Sequence, residues 1–250
     1  MTAPYFDDGT VTLYLGDMRE VLPALGITAD LICADPPYSE TSLEWDRWPD
    51  GWLALAATVS RSMWCFGSMR MFLDRRDEFT AWKLSQDVVW EKHNGSGFAA
   101  DRFRRVHEHA LHWYRGPWRD LHREVPRTSP QFQRHARPGD TATRKGIAHT
   151  GKIAQRAYVD DGKRLARSVL QVRSTHHHAI HPSEKPTDLL ALLIEYACPP
   201  GGLVVDPFAG SGSTLEAARL TGRRAIGIER HEPYIEAAAR RLAQAPLEVL

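Results

Sequence analysis

Three cysteines among 250 residues, Cys33, Cys65 and Cys198, and no CxxC spacing leave too little sulfur for a disulfide framework or a cysteine zinc site. That scarcity fits a reducing compartment. No run approaches the ~18 consecutive apolar residues that a membrane span requires, and Met1 to Asp8 lacks the basic stretch and apolar core of a signal peptide. The expectation is a cytosolic protein. No internal repeat or low-complexity tract is present. With 42% hydrophobic and 25% charged residues, disorder, collagen and long coiled coils are excluded. An excess of either charge is missing too, with 32 Lys+Arg against 31 Asp+Glu. What remains is a folded chain of one domain, or one domain carrying an insert.

The near-neutral total conceals an uneven distribution. Between Arg119 and Arg173 there are 13 basic and 5 acidic residues, so this middle stretch is strongly basic and the rest of the chain is acidic. Pro126, Pro130, Pro138, Gly139, Gly146, Gly151 and Gly162 punctuate it, and all eight tryptophans lie before it, from Trp45 to Trp118. A solvated loop and a segment that meets a polyanion both fit this composition. The division expected is 1–118, an insert over 119–175, and 176–250.

Short unbroken apolar runs precede the insert. Val11–Leu15, Leu31–Ala34, Met63–Phe66, Asp87–Trp90 and Ala110–Tyr114 read as strands buried on both sheet faces. Trp52 to Ser60 reads as a helix. After the insert, Thr187 caps a helix through Ala197 that stops at Pro199-Pro200-Gly201-Gly202. Leu203–Val205 is a strand, Ser213–Leu220 a helix, Ala225–Ile228 a strand, and Tyr234–Ala243 a last amphipathic helix. Such alternation predicts an α/β parallel sheet.

Asp206-Pro207-Phe208-Ala209-Gly210-Ser211-Gly212-Ser213-Thr214 joins a strand to a helix. Glycines there permit close backbone approach, and a helix N-terminus offers free N–H groups to an anion. Glu229 ends the next strand, about 20 residues after Gly210, where an acid accepts hydrogen bonds from ribose hydroxyls. A Walker loop needs a lysine that this turn lacks. A dinucleotide fingerprint needs a third glycine where Leu215 stands. S-adenosylmethionine is the nucleoside cofactor left.

Asp35-Pro36-Pro37-Tyr38 follows directly from a predicted buried strand. Two prolines stiffen the backbone and remove two N–H donors. A carboxylate, the Pro36 carbonyl and an aromatic face then suit the exocyclic amino group of a flat base. With the basic stretch next, and Phe208, Gly210 and Gly212 last, the chain resembles the β-type amino-group DNA methyltransferases. Val89-Trp90-Glu91-Lys92, His107-Glu108, His181-Pro182-Ser183-Glu184-Lys185-Pro186 and Gly16-Asp17 extend the resemblance over about residues 10–118 and 181–243.

That resemblance implies a Rossmann-like methyltransferase fold, a mostly parallel seven-stranded sheet with helices on both faces, plus a basic target-recognition insert. It implies S-adenosylmethionine as cofactor, double-stranded DNA as partner and a prokaryotic or phage-encoded cytoplasmic enzyme that flips its base. Family members often form homodimers; the sequence itself does not show this. The catalytic set is Asp35, Pro36, Pro37 and Tyr38. Gly210, Gly212, Ser213 and Thr214 are assigned to the cofactor's methionine part, and Asp206 and Phe208 in the same turn are further cofactor-binding candidates. Lys185 is a carboxylate partner, Glu229 takes the ribose, and Asp17 takes the adenine amino group. Arg134, Arg137, Arg144, Lys145, Lys152, Arg156, Lys163 and Arg164 are the DNA-binding candidates. An Asp opening the tetrapeptide resembles adenine-N6 members; cytosine-N4 methylation on the same fold and a catalytically silent DNA-binding module stay open. His176-His177-His178 with His181 are expected to be surface or DNA-facing polar residues rather than metal ligands.

Overall fold

The computed structural model describes residues 3–96, 100–128, 141–143, 157–159, 163–173 and 184–244. They form two compact units, one built from residues 1–124 and 168–250, the other from 125–167. The larger begins with strand β1 (Phe6–Asp7), β2 (Val11–Leu15), helix α1 (Met18–Leu25), β3 (Leu31–Ala34), α2 (Trp52–Val59), β4 (Ser62–Gly67), α3 (Met69–Asp74), β5 (Lys83–Ser96) and β6 (Arg105–Tyr114). The smaller unit holds β7 (Arg127–Thr128), β8 (Thr141–Thr143), β9 (Ala157–Val159) and β10 (Arg164–Leu165), paired antiparallel as β7 with β10 and β8 with β9. Back in the larger unit follow β11 (Val169–Gln171), α4 (Thr187–Ala197), β12 (Leu203–Asp206), α5 (Ser213–Leu220), β13 (Arg224–Glu229) and α6 (Glu232–Ala243).

Among the described residues the main sheet has nine strands in the order β1-β2-β13-β12-β3-β4-β6-β5-β11. Strands β2 to β4 run parallel, whereas β6 and β5 form an antiparallel hairpin beside β4. The expected count of seven is therefore exceeded by two. The additions are the edge strands β1 and β11, two and three residues long, too short to leave an apolar run in the sequence. Residues 169–171 pair in parallel with Val89–Glu91, although their composition grouped them with the basic stretch.

Alternation along each strand explains the apolar runs. Leu31 and Cys33 of β3 face one core, Ile32 and Ala34 the other. The first core is closed by Leu189 and Leu193 of α4, Leu215 of α5 and Ile235 of α6; the second by Met18, Leu22, Trp52 and Met71 of α1, α2 and α3. Both faces are covered, as a parallel sheet requires. Gly227 of β13 is what lets α5 settle closely: a Cβ there would lie 2.7 Å from Leu215 Cδ2 and 2.9 Å from Leu13 Cδ2.

One local expectation changes, and one helix went unread in the sequence. Thr187 does not cap α4; Pro186 is the cap residue, and the Thr187 hydroxyl instead donates to Glu216 Oε2 at 3.5 Å. Helix α1 escaped the pattern because Pro23 sits inside it; Asp17 caps its start by accepting from the Arg19 N–H, and Gly26 ends it in the left-handed conformation. All three cysteines are buried free thiols. No helix among the described residues is long and apolar enough to cross a membrane.

Candidate active site

From β3 the chain crosses through α2 to β4 on one side, while from β12 it crosses through α5 to β13 on the other. Because β3 and β12 are neighbours, their carboxyl ends flank a topological switch point, where α/β sheets open a crevice. Asp35 leaves β3 and Asp206 ends β12, so one crevice receives both motifs.

The turn after Asp35-Pro36-Pro37-Tyr38 is held from behind. Ser39 adopts a left-handed φ of 59°, a strained value for a residue with a side chain. Buried Asp46 compensates by accepting the N–H groups of Ser39 at 2.8 Å, Glu40 at 3.0 Å and Thr41 at 2.7 Å, and the Ser39 hydroxyl accepts the Trp48 N–H at 2.8 Å. Burial alone would raise the Asp46 carboxyl; the hydrogen bonds outweigh it and hold the group below its ordinary range.

Asp35 sits in a chain of alternating charges. Its Oδ1 accepts the Tyr38 hydroxyl at 2.5 Å and its Oδ2 accepts Lys185 Nζ at 2.5 Å. Lys185 lies 3.5 Å from Glu108 Oε2, an ion-pair contact longer than a good hydrogen bond, and Lys92 donates to Glu108 Oε1 at 2.6 Å. Burial pushes Glu108 up, but Lys185 and Lys92 pull it down to about 2, so it stays ionised. For Lys185, burial favours the neutral amine, and the Asp35 and Glu108 carboxylates reverse this and raise it. Burial and the Asp35 charge drive the Tyr38 phenol well up, so its hydroxyl keeps the proton it donates.

The glycine turn is anchored in the same manner. Gly210 and Gly212 take φ of 50° and 79°, which side chains disfavour. Glu229, buried, accepts the Gly210 N–H on Oε2 at 2.9 Å and the His231 N–H on Oε1 at 2.8 Å. Gly212 offers no side chain to cap α5, which leaves that helix start able to receive an anion. Asp206 accepts the Phe208 N–H at 3.0 Å, and burial lifts its carboxyl to about 7. From α6, Arg241 donates to Ser211 and Ser213 Oγ at 3.2 and 2.9 Å and pairs with Glu184 at 2.5 Å, tying the turn to the segment that carries Lys185.

One cleft of about 450 Å³ is lined by Asp17, Asp35, Pro36, Pro37, Tyr38 and Lys185, and also by Asp206, Phe208, Gly210, Ser213, Thr214 and Glu229. Gly212 is not on its wall; a Cβ there would meet Ala238 Cβ at 3.1 Å, so this glycine serves the packing of the turn on α6. The Asp17 carboxylate is held by Arg19 at 2.6 Å. Lys185, expected as a partner for the cofactor's carboxylate, lines the cleft and contacts Asp35 and Glu108. Lys163 and Arg164 belong to the smaller unit, where the Lys163 carbonyl accepts from Arg127 and Arg164. Arg134, Arg137, Arg144, Lys145, Lys152 and Arg156, with His176-His177-His178 and His181, lie outside the described residues. Sequence reasoning gave no role to Glu108, Lys92, Asp46 or Arg241. The first two stand in strands already rich in charge, β5 with Lys83, Asp87 and Glu91 and β6 with Arg105, so their charges did not single them out; Glu108 lies opposite Trp90 across the β5–β6 pair.

Comparison with known proteins agrees with this geometry. The DNA methylase model for N6/N4 enzymes matches residues 29–240. The type II methyltransferase M.HinfI of Haemophilus influenzae is 27% identical over 93% of this chain and 68% of its own length. YubD of Escherichia coli is 56% identical, but over only 25% of this chain and 28% of its own. Among solved structures, the M1.HpyAVI–SAM complex is 22% identical with a TM-score of 0.63, covering 92% of this chain and 99% of that one. The cytosine-N4-specific PvuII DNA methyltransferase is 16% identical with a TM-score of 0.65, covering 99% and 90%. These two likenesses establish the fold: a Rossmann-like methyltransferase sheet with helices on both faces. With the family match spanning most of the chain and both motifs opening into one cleft, this protein belongs to the N6/N4 DNA methylase family.

Proposed function

We propose that the chain transfers a methyl group from S-adenosylmethionine to the exocyclic N6 amino group of adenine in duplex DNA. The observation that carries this reading is that Asp35 and Glu229, from strands on opposite sides of β12, line one cleft. Its volume of about 450 Å³ falls within the ~300–1,000 Å³ of small-ligand pockets. The donor set also suits the cofactor. The uncapped start of α5 with Ser213 and Thr214 fits a carboxylate, Glu229 fits the ribose hydroxyls, and Asp17, on the same cleft wall, is the candidate for the adenine amino group. When bound, S-adenosylmethionine supplies an electrophilic methyl group on a sulfonium sulfur.

An aromatic amine is a poor nucleophile because its lone pair is delocalised into the ring. Asp35 and the Pro36 carbonyl, by accepting its two hydrogens, favour a pyramidal nitrogen and stabilise the positive charge that grows there. Tyr38 offers a stacking face to a base rotated out of the duplex. The charge chain keeps this acceptor usable. Lys92 and Lys185 are balanced by Glu108 and Asp35, so the growing positive charge does not face an excess of lysine. Lys185 and Tyr38 fix both carboxylate oxygens, which presents Asp35 in one orientation without reorganisation. The proton leaves after methyl transfer, so no strong base is needed beforehand.

Asp at the head of the tetrapeptide supports adenine. The fold likeness to a cytosine-N4-specific enzyme supports the second reading, N4-cytosine methylation, at 16% identity. Incubating the protein with duplex DNA and methyl-labelled cofactor, then hydrolysing the DNA to nucleosides, separates them. Label in 6-methyladenine is expected. Label in 4-methylcytosine would replace the target base, and DNA without label would reject methylation altogether.

A further inference from the structure

Past Tyr38 the cleft continues into a second cavity of about 1060 Å³, and the two share Tyr38, Glu40 and Arg105. The second cavity is basic. Arg70, Arg75, Arg102, Arg104 and Arg105 line it with Glu40 and Asp74, while Arg102 also pairs with Asp101 at 2.7 Å and Arg75 with Glu78 at 3.4 Å. At the boundary Arg105 reaches Glu40 at 3.4 Å, and Glu40 in turn accepts the Ser68 hydroxyl. Its wall also carries Phe103, on the connection between β5 and β6, whose side chain is fully exposed. A lone exposed apolar residue is ordinary on a protein surface. This one is flanked in sequence by Arg102, Arg104 and Arg105 and lines a cavity continuous with the base-accepting motif, which is a different circumstance.

We propose that Phe103 enters the DNA base stack in the gap vacated by the flipped target base, with the neighbouring arginines meeting the flanking phosphates. The inference rests on the DNA-methylating reading and adds to it the element that keeps the base out. Rotating a base from the duplex sacrifices its stacking and pairing. Apolar wedges inserted at a base step are a recurrent way to hold such a distortion open, and an aromatic ring restores stacking to the bases on either side. An arginine-rich wall attracts an anionic occupant, and for a DNA-methylating enzyme the anion supplied by its substrate is the phosphate backbone.

The test uses the full chain and a duplex whose methylated position has first been mapped by sequencing DNA that the enzyme has modified. Initial rates are compared for wild type, Phe103→Ala and Phe103→Trp on the fully paired duplex and on the same duplex mismatched at the target, where the cost of flipping is largely removed. Phe103→Ala is expected to lower kcat/KM on the paired duplex by roughly 5- to 50-fold. On the mismatched duplex the deficit should shrink to about 2-fold or less, and Phe103→Trp should keep near-wild-type rates on both. An alanine variant equal to wild type on paired DNA would overturn the proposal. So would one equally impaired on both duplexes, since that marks a role unrelated to flipping. A wild type that methylates neither duplex would overturn the DNA-methylating reading itself and this inference with it.

Discussion

Replacing Glu108 by Gln removes one carboxylate from between two lysines, and the structure sets the size of the effect. Glu108 is held at about 2 rather than 4.5 by Lys185 and Lys92. At ~1.4 kcal/mol per pKa unit, that difference corresponds to roughly 3 kcal/mol of stabilisation near neutral pH. Its side chain is only 14% exposed, so solvent screening removes little of this. Glutamine still accepts a hydrogen bond from Lys92, so a net loss of about 2–3 kcal/mol is expected, or a Tm lower by roughly 5–10 °C for a domain of this size. The sign with pH follows from the depressed value. The contribution is complete above the unfolded pKa near 4.5 and disappears as pH falls towards 2. Urea unfolding followed by tryptophan fluorescence should therefore show the widest gap between wild type and Glu108→Gln above about pH 5 and a narrowing gap by about pH 3. Adding Lys92→Met should recover part of the loss by removing an unpaired ammonium. An absent gap, or one that does not change with pH, would refute the alternating-charge account of this site.

Three further outcomes are expected. Asp35→Ala should lower turnover by at least ~10²-fold while cofactor binding, measured by calorimetry, survives; near-normal turnover would remove Asp35 from the reaction. Glu229→Ala should weaken cofactor binding, because the group that orders both the Gly210 and His231 N–H is lost along with the proposed ribose acceptor; an unchanged isotherm would refute this. Gly227→Ala should cost ~1–3 kcal/mol in chemical denaturation, since its new Cβ must displace the buried Leu215 and Leu13 side chains without any backbone strain to relieve.

What the amino-acid order determined by itself is what local physics can carry. Leu31–Ala34, Leu203–Asp206 and Arg224–Glu229 are legible as strands because burial on both faces demands unbroken apolar runs. Asp35-Pro36-Pro37-Tyr38 and the Gly210–Gly212 turn are legible because proline and glycine restrict or free the backbone wherever they stand. Edge strands β1 and β11 were not, being too short for periodicity, nor was α1, whose Pro23 argues against the helix it occupies. Only the tertiary structure decided which charges meet. Lys185 lies 150 positions from Asp35 and 77 from Glu108 along the chain, and no spacing rule foretells that an α4-leading segment and the β6 strand converge on the end of β3. Nor could residue order alone say that Lys185 would serve Asp35. A long cationic side chain takes the partner that its surroundings leave within reach, and that is settled by how the sheet and helices pack.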